Sequence, residues 1–225
     1  MSAGGRYAVY FAPAPGSPLA RFGAEWLGYD ADTGEAVARE RQRAATADPA
    51  RYGFHATLKA PFALAENCRA DALDEAVARL AGCFPAFSAP PLRLARVDRF
   101  WALVPSLPCP MLDRVATACV SELDRFRAPL SSPDLHRRRS AGLSAVQDAL
   151  LLRWGYPYVM QEFRFHMTLT GPLGFDQSEA IGRDLATRVA PFCETELAID
   201  ALSVFHQPET DAAFRRLRRH PLSVQ

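Results

Sequence analysis

Lysine is almost missing from this 225-residue chain: Lys59 stands alone among 26 basic side chains, and those bases nearly cancel 25 acidic groups. A net charge of +1 leaves no global field to hold a long nucleic acid or an anionic membrane, so any phosphate recognition has to be local. Cysteine is sparse. Cys68, Cys83, Cys109, Cys119 and Cys193 are scattered, odd in number and free of any C-x-x-C pair, which argues against a disulfide framework or a zinc ribbon and for reduced thiols in a cytoplasmic protein. Cys119, among apolar neighbours on an expected helix, reads as a small buried hydrophobe rather than a nucleophile. Long hydrophobic runs are absent too: nothing approaches the roughly 20 apolar residues that cross a bilayer. The short apolar stretch Tyr7 to Ala14 is interrupted by Pro13 and lacks a basic leader, so it reads as mature, soluble protein.

What is present is an ordinary globular composition, 49% hydrophobic and 23% charged, which excludes disorder over most of the length. The length suits one large domain or two smaller lobes. Arg6 to Ala12 alternates as a strand and is stopped by Pro13, Pro15, Gly16 and Pro18, ahead of a helix from Leu19 to Leu27. Asp30 to Gly53 reads as a short helix with loops. Apolar spacings of three and four predict amphipathic helices over Cys68 to Cys83, over Met111 to Phe126, and along Ile181, Leu185, Val189 and Phe192, the last with a capping-box start at Asp176-x-x-Glu179. Strands are expected at Leu92 to Val104, broken by a turn, and at Glu196 to His206. Ala128 to Ser140, with Pro129, Pro133 and Arg137 to Arg139, reads as a loop connector, placing two lobes at 1–127 and 140–225 with strands open to exchange between them.

One octapeptide occurs twice. Phe54-His55-Ala56-Thr57-Leu58-Lys59-Ala60-Pro61 returns as Phe165-His166-Met167-Thr168-Leu169-Thr170-Gly171-Pro172, identical at five of eight positions, with the histidines 111 residues apart. Each copy is followed by an amphipathic helix and then a strand pair, the pattern of an internal duplication. Read with the period of a strand, one face of the first copy carries His55, Thr57 and Lys59, and one face of the second carries Arg164, His166, Thr168 and Thr170. A buried polar group without a partner costs about 1 to 3 kcal/mol, so these faces belong in a water-filled cleft rather than in a core.

Two opposed imidazoles suit in-line displacement at phosphorus, which needs a base for the entering oxygen and an acid for the departing one. With an ordinary pKa near 6.5, one imidazole can be neutral while the other is charged. Thr57 and Thr168 can donate to the non-bridging oxygens, and Lys59 or Arg164 can add positive charge beside them. No H-x-x-E-H, H-x-H or acidic cluster accompanies the histidines, so neither a metal nor another cofactor is expected.

The paired H-x-T motifs resemble the 2H phosphoesterase superfamily, which includes cyclic nucleotide phosphodiesterases and RNA 2′,3′-cyclic-end enzymes. Tyr52-Gly53-Phe54-His55, Trp154-Gly155-Tyr156-Pro157-Tyr158 and Phe163-Arg164-Phe165-His166 look like an uncharacterised bacterial branch of it linked to phosphonate metabolism. The resemblance implies an α+β fold, bilobal and pseudo-two-fold, each lobe an antiparallel sheet backed by helices around a central cleft. It implies acid and base roles for His55 and His166, phosphate holding by Thr57 and Thr168, and a metal-independent phosphodiesterase acting on a small cyclic sugar phosphate or nucleotide. Lys59, Thr170, Arg164 and Tyr158 are the accompanying substrate-binding candidates, although Tyr156 and Tyr158 also read as packing. An RNA-end phosphodiesterase or ligase and a non-catalytic phospho-ligand module are the competing readings. Arg215, Arg216, Arg218 and Arg219 form a basic cluster that could touch nucleic acid but reads more simply as a solvated strand end. His136, His206 and His220 read as solvated or capping groups.

Overall fold

Capping residues and period-2 alternation account for most element boundaries. In the computed structural model, which describes residues 5–38, 43–140 and 142–224, the chain opens with β1 (Arg6–Phe11) and α1 (Pro18–Leu27). Ser17 caps α1 by accepting from the Ala20 amide, and Gly28 closes it in the left-handed region at φ 73°. There follow β2 (Tyr29–Asp30), β3 (Glu35–Ala36), α2 (Arg43–Ala50), β4 (Ala56–Ala63), α3 (Ala70–Gly82), β5 (Phe87–Ala89), β6 (Leu92–Val97), β7 (Phe100–Pro105) and α4 (Pro110–Glu122). The remainder is α5 (Ser132–Arg139), α6 (Ala145–Trp154), β8 (Met167–Thr168), α7 (Phe175–Val189), β9 (Leu197–Ile199), β10 (Ala201–Gln207) and β11 (Arg215–Pro221).

Seven strands form one antiparallel sheet in the order β11-β10-β1-β4-β8-β7-β6, and β5 pairs with β9 beside it. The fold is α+β. The two halves of the sequence are interleaved in this sheet: hairpin β6-β7 from the first half flanks β8, and hairpin β10-β11 from the second half flanks β1. Both motif strands, β4 and β8, meet as neighbours near its centre. One sheet face is covered by α3, α4 and α7, whose Leu73, Val77, Val115, Cys119, Ile181 and Leu185 are buried together with Val9, Phe11, Ala56, Leu58, Leu103 and Met167 of the strands. Burial there is worth about 1.5 to 3 kcal/mol per large aliphatic side chain. The opposite face keeps His55 and Thr57 of the first motif and His166 and Thr168 of the second.

Several sequence expectations change. The connector is helical: Ser131 accepts from the Asp134 amide to start α5, with a proline in its first turn. α6 follows behind a complete capping box of Ser144 and Gln147, a signal that the polar surroundings obscured. The expected box at Asp176 and Glu179 is not formed, because α7 begins earlier, with Gly174 as its N-cap. Within Asp30 to Gly53 the structure shows the end of the β2-β3 hairpin and α2, while residues 39–42 of that segment lie outside the described residues. Three of the four arginines of β11 are engaged with distant groups: Arg216 pairs with Asp32, Arg219 with Asp200, and Arg215 donates to the Thr33 carbonyl, while Arg218 is exposed and reaches only the adjacent Leu217 carbonyl. His220 likewise bonds Asp74 of α3 at 2.7 Å. Among the described residues no helix is long and apolar enough to cross a membrane.

Candidate active site

The register between β4 and β8 places the two motifs side by side. Ala56 lies opposite Met167, so continuing the antiparallel register by one residue sets His55 across from Thr168 and Thr57 across from His166. Directly opposed side chains have Cβ atoms about 5 Å apart and diagonal ones about 7 Å, so the histidines sit on one diagonal and the threonines on the other. Two imidazoles and two hydroxyls thus face the same patch of the sheet.

Both imidazoles are held in the same way. Nδ1 of His55 donates to the Gly53 carbonyl at 2.9 Å, and Nδ1 of His166 donates to the Arg164 carbonyl at 2.7 Å. Because a carbonyl only accepts, each bond fixes the Nδ1–H tautomer and leaves Nε2 to exchange protons. Nε2 of His55 lies 3.2 Å from the Thr57 hydroxyl. Gly53 carries its carbonyl in place at φ 72°, where a Cβ would stand 2.6 Å from that of Ala31.

Their surroundings differ. The Tyr10 ring stacks on His55 with centroids 3.7 Å apart, and Tyr52 and Phe205 close around it at 6.3 Å, whereas His166 has Phe100 at 5.8 Å. Burial, set against the Gly53 hydrogen bond and reinforced by His166, pushes the His55 pKa down to about 4. Burial also lowers the pKa of His166, with the Arg164 carbonyl opposing it.

These groups line a cleft of about 590 Å³ with Arg6, Tyr52, Tyr156, Arg138 and Thr170 around them. His55, His166, Thr57 and Thr168 are brought together; the other four candidates fare differently. Thr170 borders the cleft but is 1% exposed and accepts from the Trp101 amide at 3.0 Å, so it ties the end of the second motif to β7. Lys59 does not share the face of His55 and Thr57. Tyr10 pairs with Thr57 and Val9 with Lys59, so β4 carries an extra residue at Leu58, and this bulge turns Lys59 toward the helix layer. Its ammonium is buried, donates to the Val120 carbonyl at 3.0 Å, lies 3.5 Å from Asp124, and borders an adjoining pocket of about 100 Å³. Burial lowers its pKa to about 8 despite Asp124, so desolvation outweighs that attraction.

Arg164 precedes β8, is exposed, and borders a separate groove on the far side of His166; its backbone carbonyl alone serves the site. Tyr158 is also outside the cleft. The chain after α6 is irregular, so Tyr156 and Tyr158 do not share a face: Tyr156 lines the cleft and Tyr158, 44% exposed, meets its ring edge-on at 5.6 Å. Tyr10, Arg6 and Arg138 line the cleft without having been singled out in the sequence. The alternation Ala8, Tyr10, Ala12 marks a face of β1, but only the pairing with β4 shows which face that is.

Comparison with known proteins places this geometry in context. A family model described as "Protein of unknown function (DUF1045)" matches residues 57–215. The chain is similar to ribose 1,5-bisphosphate phosphokinase PhnN of Janthinobacterium sp. (strain Marseille), 39% identical over 232 residues, covering 98% of this chain and 51% of that protein. It is also 39% identical over 221 residues to the protein of the same name from Laribacter hongkongensis (strain HLHK9), covering 95% of this chain and 51% of the relative. The chain therefore spans about half the length of these curated relatives. Similar solved structures include E. coli LigT complexed with NADP+, at 17% identity and a TM-score of 0.47 with both chains covered fully at 100%. E. coli LigT complexed with 3′-AMP has 16% identity and a TM-score of 0.44, covering 98% of this chain and 99% of that one. Since the family model spans well over half of the sequence and takes in Thr57 and the whole second motif, the chain belongs to the DUF1045 family.

Proposed function

We propose that this chain is a two-histidine phosphodiesterase that opens a cyclic phosphodiester of a small sugar phosphate or nucleotide, acting in phosphonate metabolism and in the cytoplasm. The observation that carries the reading is the β4-β8 register, which gives two Nδ1-anchored imidazoles and two hydroxyls on crossed diagonals. His55, with the more strongly depressed pKa, is neutral near pH 7 and serves as base; His166, in its cationic form, serves as acid. Nε2 of His55 takes a proton from water as the water oxygen bonds to phosphorus. The bond from phosphorus to one ring oxygen breaks, and Nε2–H of His166 protonates that oxygen, leaving a phosphomonoester and a free hydroxyl. Thr57 and Thr168 donate to the non-bridging oxygens, whose charge grows in the transition state. The cycle closes when His55 returns its proton to solvent and His166 regains one.

The PhnN-named relatives support a role in phosphonate metabolism, and the ribose bisphosphate in their name favours the sugar phosphate over the nucleotide. With Arg216 and Arg219 ion-paired and Arg215 bonded to the Thr33 carbonyl, the β11 arginines are a weak basic track for RNA. Turnover of a panel of cyclic phosphodiesters tests the reading. His55→Ala and His166→Ala are each expected to lower kcat/KM by about 10² to 10⁴, with wild-type activity retained in a chelator. Full activity in either variant, or no turnover of any cyclic diester, would sink it.

A further inference from the structure

Resting on the phosphodiesterase reading, we propose that the part of the cleft between His55 and the adjoining pocket is a subsite for a second anionic group, so that the substrate carries a terminal phosphate besides the cyclic one, with Arg138, Arg6 and Tyr10 as its specificity-determining residues. Arg6, Arg137, Arg138 and Tyr156 border both the 590 Å³ cleft and the adjoining 100 Å³ pocket, which places them where the two spaces meet. Lys59 and Arg127 line the smaller pocket as well. Most of these cations are already committed. Arg137 pairs with Asp134, while Arg127 and Lys59 share Asp124. Neither Arg6 nor Arg138 forms an ion pair with a carboxylate among the described residues, although Asp134 attracts Arg138: Arg6 donates through Nε to the Gln207 side chain, and Arg138 lies 5.3 Å over the Tyr156 ring with its buried Nε lacking an acceptor.

Tyr10 supplies the independent observation. Its side chain is wholly buried at 0% exposure, it lines the cleft, and its hydroxyl has no hydrogen-bond partner. A buried phenol left in that state costs about 1 to 3 kcal/mol unless something else accepts its proton. Burial and the neighbouring Tyr52 and Tyr156 raise its pKa, so it stays a donor, and Arg6 is the cation that opposes them. Arg138, whose pKa burial lowers with Arg137 and Arg6 while Tyr156 and Asp134 oppose them, shares Tyr156 and Arg6 as neighbours with that phenol. Two donors without acceptors and two cations without an ion-paired carboxylate, lying between His55 and the adjoining pocket, match a phosphate monoester. Its three terminal oxygens accept from several donors at once, and an arginine fork fits two of them. A nucleobase would bring too little negative charge to satisfy this set.

The test compares a ribose cyclic phosphodiester made with and without a phosphate on O5, using wild type, Arg138→Gln and Tyr10→Phe. Tyr10→Phe keeps the ring stacked on His55 and removes the hydroxyl alone. Wild type is expected to prefer the O5-phosphorylated diester by about 100-fold in kcat/KM, mostly through KM, and each variant to cut that preference by about tenfold. Equal use of both diesters by wild type, or a preference untouched in both variants, would overturn the subsite while leaving the phosphodiesterase reading intact. If neither diester is turned over, the catalytic reading fails and calorimetric titration with ribose 5-phosphate decides the subsite alone. Binding that weakens about tenfold in Arg138→Gln upholds it; absent or unaltered binding overturns it.

Discussion

His55 and His166 make the same hydrogen bond in different company, and that difference separates the roles proposed for them. Each donates from Nδ1 to the carbonyl two residues earlier, but three aromatic rings enclose His55 and one stands beside His166. A base must be unprotonated, so kcat/KM should rise with pH through the His55 pKa of about 4. An acid must be protonated, so kcat/KM should fall as pH rises through the His166 pKa, which lies below 6.5. The two limbs make a bell with its maximum on the acid side of pH 6.5 in the free enzyme. An anionic substrate favours imidazolium, so both limbs of kcat should move to higher pH than those of kcat/KM. Steady-state profiles of both parameters check this; a kcat/KM maximum above pH 8 would contradict the roles given to the two residues. The imidazole and hydroxyl pairs were legible in the sequence because the motif repeats. Tyr10 was not, since an isolated tyrosine on an alternating strand carries no sign of which ring it will stack on.

Strand periodicity served the first three residues of each motif and failed at the next step for a local reason. The bulge at Leu58 sends Lys59 to the other face, and in the second copy the chain leaves the sheet as the Leu169 and Thr170 amides both turn to the Trp101 carbonyl. A bulge adds one residue without changing composition, so a strict alternation of faces cannot register it. Helix spacing is more forgiving, and the cores of α3, α4 and α7 fall where the three-four pattern put them. Two helical glycines show how tightly those layers close. A Cβ on Gly23 of α1 would lie 2.1 Å from the Phe54 ring, and one on Gly182 of α7 would lie 2.5 Å from the Trp101 ring. Replacing a helical glycine by alanine ordinarily stabilises by up to about 1 kcal/mol. Here overpacking should prevail, costing about 1 to 3 kcal/mol. Gly23→Ala should therefore lower the Tm in thermal melts, and because Phe54 precedes His55 it should lower kcat as well. A Tm raised by this substitution would show that the helix and ring separate freely.

At the scale of the molecule, the duplication visible in the sequence does not divide the fold along the chain. Each copy of the motif is followed by a helix and a hairpin, yet β6-β7 joins the strand of the second motif and β10-β11 joins β1 on the side of the first. The sequence shows which units repeat; it does not show which edges they pair with, because the partners lie far apart along the chain and loop length constrains them weakly. The interleaving has a consequence for folding. In a fragment ending at residue 127, β1 lacks β10, and both β4 and β7 lack β8, so the two strand groups of the first half have nothing to join them in one sheet. Unpaired central edges leave backbone donors and acceptors exposed on strands that the full chain buries. The fragment 1–127 should show no cooperative thermal transition by circular dichroism, while mixing it with 128–225 should restore one together with the activity that needs both histidines. A fragment that melts cooperatively alone would mean that the first half makes its own sheet, and that the contact between β4 and β8 is a docking of two finished lobes. The interleaved sheet requires the opposite: the proposed active site forms only as the fold itself is completed, since the register that sets His55 against Thr168 is also the seam between the halves.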